Sequence, residues 1–99
     1  MRNPVEIENI EELRRREGIE DVELRNKIRE LGSGDFVKVS LLTRTRSFET
    51  LLVRITSIKG SEFRGKLANK PASPDLAELG LGSTVVFSAA HIHSIPKAS

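Results

Sequence analysis

The architecture turns on TLLVRITSIKGSEFRGKLAN, residues 50–69. Leu51, Val53 and Ile55 alternate with Leu52, Arg54 and Thr56; then Phe63, Gly65 and Leu67 alternate with Arg64 and Lys66. A period of two places successive side chains on opposite faces, so this is a pair of half-buried strands. Lys59-Gly60-Ser61 joins them as a hairpin, where Gly60 can take the positive φ that a turn with a G1 bulge needs. One face is aliphatic plus Phe63. The other shows Arg54, Arg64 and Lys66 to water.

Upstream, Val37, Val39 and Leu41 alternate with Lys38, Ser40 and Leu42, which predicts another strand, entered through a tight turn at Gly34-Asp35. Arg44-Thr45-Arg46-Ser47 is a polar connection leading through Phe48 into the hairpin. Downstream, residues 69–82 contain Pro71 and Pro74 and make a loop longer than most. Within it Ser73-Pro74-Asp75 reads as an N-cap followed by an N1 proline, opening a single helical turn. Leu76, Leu79 and Leu81 are expected to plug one end of the core. STVVFS, residues 83–88, predicts a fourth strand with Val85 and Phe87 inward, and residues 91–95 a short fifth one ended by Pro96.

Residues 1–34 read as helical. Asn9 caps a short helix, with Glu12 completing a capping box, Ile10 and Leu13 as its apolar edge, and Gly18 as its stop. Arg14, Arg15 and Arg16 complement the dipole at its C-terminal end. Asp21 is the next N-cap, and Leu24, Ile28 and Leu31 follow at i, i+4 and i+7 before Gly32-Ser33-Gly34. The expected fold is therefore α+β in a single domain, residues 1–99. Two short N-terminal helices (1–34) precede a strongly bent four- or five-stranded antiparallel sheet or small SH3-like barrel (35–95).

Residues 52–95 carry a V-x-I-x-x-I strand, a glycine turn, F-x-G-x-L-x-N-x-P, a leucine-and-glycine turn, V-x-F and H-I. In this chain they are Val53, Ile55, Ile58, Gly60, Phe63, Gly65, Leu67, Asn69, Pro71, Gly82, Val85, Phe87, His91 and Ile92. This pattern resembles the YegJ-type proteins, an uncharacterised bacterial family. The resemblance implies a compact β-rich domain and brings no activity or functional residues with it.

With 99 residues the chain can bury one modest core, without room for a deep substrate cavity as well. There is no cysteine, which excludes disulfides, thiolate nucleophiles and cysteine-ligated zinc and suits a reducing compartment. No apolar run approaches the roughly 18 residues of a membrane span, and MRNPVEIENIEEL lacks the basic start and apolar stretch of a signal peptide. A cytoplasmic protein is expected. The net charge of +2 is unevenly placed: residues 1–34 hold seven Lys and Arg against nine Asp and Glu, residues 35–99 nine against five.

His91 and His93 stand two apart, so on a strand both rings would share a face, a spacing metals use. Two ligands do not complete a site, and only Asp75 and Glu78 are near in sequence. The pair therefore reads as rim histidines held by hydrogen bonds. There is no G-x-S-x-G elbow. Gly32-Ser33-Gly34 leads into a strand, whereas a phosphate loop must lead into a helix. The chain is expected to be neither an enzyme nor a holder of metal or cofactor, but a non-catalytic binding module. For a protein or peptide partner the candidate patch is Leu42, Leu52 and Val86, apolar residues on the outward side. For nucleic acid, the first alternative, the candidates are Lys38, Arg44, Arg46, Arg54, Arg64 and Lys66; a metal-dependent enzyme built on His91 and His93 is the second. The choice between protein and nucleic acid rests on aromatics: Tyr and Trp are absent, and Phe36, Phe48, Phe63 and Phe87 are all assigned to or near the core. Without a stacking residue, the protein partner is preferred.

Overall fold

The computed structural model describes residues 6–20, 22–43, 47–72, 74–76 and 79–96. Arg44, Arg46 and the expected caps Asp21 and Ser73 lie outside these residues, as does Glu78. Helices α1 (Ile10–Arg16) and α2 (Val22–Arg29) come first, then strands β1 (Phe36–Leu42), β2 (Phe48–Lys59), β3 (Glu62–Leu67), β4 (Thr84–Phe87) and β5 (Ile92–Ser94). Short 3-10 turns at Pro74–Leu76 and Ala89–His91 precede β4 and β5.

The five strands form one antiparallel sheet in the order β4-β3-β2-β1-β5. It is not closed into a barrel. Strands β4 and β5 stand at opposite ends of the order, and the turn Ala89–His91 takes the chain from one to the other. Strand β5 is only three residues long and covers part of β1. The rest of that edge is filled by the N-terminal segment, where Ile7 bridges Leu41, Glu8 N–H donates to the Ser40 carbonyl and Leu42 N–H to that of Glu6. Two short segments thus share the protection of one long edge.

The period of two translates directly into burial. Val37, Val39, Val53 and Ile55 are fully buried and Leu51 nearly so, and Phe63, Leu67, Val85 and Phe87 join them on the inner face. The Phe63 and Phe87 rings stack with centroids 5.4 Å apart. At the hairpin the expected G1 bulge is absent: Gly60 and Ser61 form a two-residue loop closed by Lys59 and Glu62, with Gly60 at φ 58°. The irregularity sits in mid-strand instead, between Ile55 and Ser57. An extra residue there bends β2 and raises its twist. The carbonyl turned out at Thr56 accepts from Ser33 Oγ (3.0 Å), and Thr56 Oγ1 donates to the Arg64 carbonyl (3.2 Å). Gly65 faces Ile55 at this bend. A Cβ there would come within 2.6 Å of the Arg54 carbonyl oxygen, so the close approach requires glycine.

The helices cover one end of the core. Asn9 Oδ1 accepts from Glu12 N–H at 2.9 Å, and α1 ends in a Schellman motif in which Gly18 N–H reaches the Arg15 carbonyl and Ile19 N–H that of Arg14. Ile10 is buried, α1 lies against the turn Ala89–His91, and an Arg14 guanidinium N–H donates to the His93 carbonyl (3.1 Å). In α2 no residue is fully buried; Ile28, and Leu31 just beyond, pack partly against the core. At the other end Leu76 is buried and Leu79 partly so, but Leu81 is 60 % exposed, so the expected plug loses one member. Leu81 directly precedes Gly82, whose φ of 83° turns the chain toward β4, away from the interior. Among the described residues no helix is long and apolar enough to cross a membrane.

Candidate functional site

The outer face of the sheet brings together what the sequence set side by side only in part. Strand pairing puts Phe36 opposite Arg54, Arg54 opposite Lys66 and Lys66 opposite Thr84, a single row across four strands. One step along on one side of this row Lys38 lies opposite Leu52 and Ser94, and one step on the other side Arg64 lies opposite Val86. Lys38, Arg54 and Lys66 are exposed. Directly opposed side chains on neighbouring strands stand about 4.5–5.5 Å apart at Cβ, so this is a compact cationic surface.

Its charge is not cancelled locally. Among the described residues the ion pairs hold Arg15, Arg25, Lys27 and Arg64, and none holds Lys38, Arg54 or Lys66. Arg64 is matched by Glu62 at 3.1 Å and contributes less. The neighbouring Asp35 carboxylate accepts from Gly32 N–H, and Glu49 accepts from Ala72 N–H. Arg54 against Lys66 is therefore a like-charge pair placed directly opposite, an arrangement that destabilises a sheet.

The assignment of all four phenylalanines to the core is corrected. Phe63 and Phe87 are inside, but Phe36 is 40 % and Phe48 45 % exposed. Both have outward parity on their strands, and pairing shows why: Phe36 faces Arg54, and Phe48 faces Leu42. The alternation Phe36, Val37, Lys38, Val39 carried the signal, since a buried Val37 requires Phe36 to point the other way. The apolar candidates Leu42, Leu52 and Val86 are half-buried on the same face. On this face Phe36, Lys38, Phe48, Arg54 and Lys66 are exposed, whereas Ser40, of the same parity, is buried.

His91 and His93 do not form a pair. Strand β5 begins only at Ile92, so His91 ends the preceding 3-10 turn. There its Nδ1 accepts from Ser88 N–H at 3.0 Å as part of a capping box, and burial holds its pKa below the usual histidine value. His93 Nδ1 is 3.1 Å from Ser94 Oγ. Among the described residues no cluster of three or more His, Asp or Glu stands where a metal ion could be held.

A groove the sequence did not announce lies between α1 and α2, about 290 Å³ in volume, floored by Ile10, Ile28, Ala90 and Ile92. Ala89 and Ala90, whose side chains are only methyl groups, line it beside the helices. On its rim Arg15 pairs with Glu11 (3.4 Å) and Arg25 with Glu20 (3.8 Å), so much of its charge is met from within. No family model, curated protein or solved structure matches this chain.

Proposed function

We propose that this protein is a non-catalytic binding domain and that an acidic partner lies across the outer face of its sheet. The observation that carries this reading is the Arg54–Lys66 pair: two exposed cations directly opposite each other, with Lys38 beside them and, among the described residues, no carboxylate bonded to any of the three. A fold gains nothing from such a pair. A polyanion does, because each cation it meets releases a condensed counterion and relieves the repulsion. A chain without cysteine suits the cytoplasm, where such partners are met. The resemblance of residues 52–95 to the YegJ-type proteins fits a small domain of this kind and assigns it no chemistry.

Charge reversal tests the reading in two directions at once. Lys66→Glu places a carboxylate opposite Arg54 and is expected to raise stability by about 0.2–1 kcal/mol, read as a higher urea midpoint. The same change is expected to abolish retention on immobilised heparin at low salt. A variant that loses stability and keeps its retention would sink the proposal.

A second reading takes a protein partner on the other end of the same face. It is favoured by Phe48, exposed and paired with the half-buried Leu42, with Leu52 further along β2. Its sign would be a protein captured equally well at high salt and lost with Leu52→Asp.

A further inference from the structure

We infer that the acidic partner is a single-stranded nucleic acid and that Phe36 is the platform on which one of its bases stacks. This deepens the outer-face reading and rests on it. Cations alone suit any polyanion; what separates the classes is the aromatic ring among them. Phe36 opens β1, two residues from Lys38 and directly across from Arg54, which is in turn across from Lys66. The row from Phe36 to Lys66 covers two strand spacings, about 10 Å. A π face at one end and guanidinium and ammonium groups along the rest match a base and its flanking phosphates. The ring is 40 % exposed although the next residue, Val37, is fully buried. The strand is pinned from beneath, so the ring is presented without a flexible segment having to be ordered on binding.

An acidic peptide would use Lys38, Arg54 and Lys66 but has no base to lay on Phe36. A duplex hides the faces of its bases inside the stack and would meet only the cations. Single strands offer both phosphate charge and an unstacked face. RNA and DNA share this chemistry, so both belong in the test.

The experiment is fluorescence anisotropy with labelled mixed-sequence 12-mers of RNA and DNA, single-stranded and as duplexes, alongside poly-glutamate and heparin as polyanions without bases. Urea melts confirm that each variant is folded. Single strands are expected to bind tighter than duplex or poly-glutamate. Phe36→Ala and Phe36→Leu are expected to weaken single-strand binding at least about fivefold while leaving heparin retention unchanged, and Phe48→Ala to leave both alone. Phe36 variants that bind single strands like the wild type, or duplex and single strand bound equally, would overturn the stacking assignment while leaving the basic face standing. Poly-glutamate as the tightest ligand would replace nucleic acid by an acidic protein. No binding to any polyanion at low salt would remove this inference and the proposed function together.

Discussion

Helix α2 and the β2–β3 hairpin both interleave charged with apolar residues, yet they are held in different ways. The hairpin sinks Leu51, Val53, Ile55, Phe63 and Leu67 into the interior, while α2 buries none of its residues fully and leaves Val22 55 % exposed. The reason is geometric. A strand in mid-sheet has neighbours on both edges and the core beneath it, so each inward residue is enclosed. A helix at one end of the core presents a curved surface, and Ile28 and Leu31 touch the core only along one line. Stability is thus concentrated in the sheet, and α2 is expected to open at a lower free energy than the hairpin.

The largest effect that can break this comparison is a cavity in the hairpin. Ile55→Ala removes a fully buried side chain and is expected to cost about 3 kcal/mol, whereas Ile28→Ala in α2 should cost about 1 kcal/mol or less, both read from urea melts. Equal losses would mean that α2 is as much a part of the core as β2. Next comes Gly65→Ala, expected to cost about 1–3 kcal/mol. The added Cβ meets the Arg54 main chain, which cannot swing away like a side chain. If it were neutral, the bend of β2 over β3 would be looser than described.

The smallest effect lies in the turn between β4 and β5, beside α1, and depends on pH. Burial depresses the pKa of His91, and its unprotonated Nδ1 is needed to accept from Ser88 N–H. The unfolded chain therefore binds a proton more readily than the native one. The stabilisation is complete above the ordinary histidine value, about 6.5, and is lost as pH falls through the depressed native value. The urea midpoint should fall from pH 7.5 to pH 5, and His91→Gln should flatten that dependence. An unchanged slope in the variant would place the titration elsewhere.

Most of the fold is legible in the sequence. The strands, their inward residues, the cap at Asn9 and the stop at Gly18 all follow from local pattern and backbone chemistry, whereas the need for glycine at 65 comes from the close approach of the Arg54 main chain across the sheet. The differences are equally local in origin. Glycine is the usual bulge residue in a hairpin, but the bulge stands at Ile55-Thr56-Ser57 and not at Gly60. Residue type alone points Leu81 inward and sets Phe36 and Phe48 in or near the core, although the parity of Val37 turns Phe36 outward. In each case position outweighs residue type.

By itself the sequence determined the period of two, and with it which side chains share a face, because that period is a property of the extended backbone. It determined the uneven spread of charge as well. Only the tertiary structure decided that Arg54 stands against Lys66 with Phe36 beside them, that the sheet stays open, and that His91 serves a turn. Those facts depend on register and on which strands become neighbours. Both are fixed by packing between residues far apart in the chain, which no local pattern records.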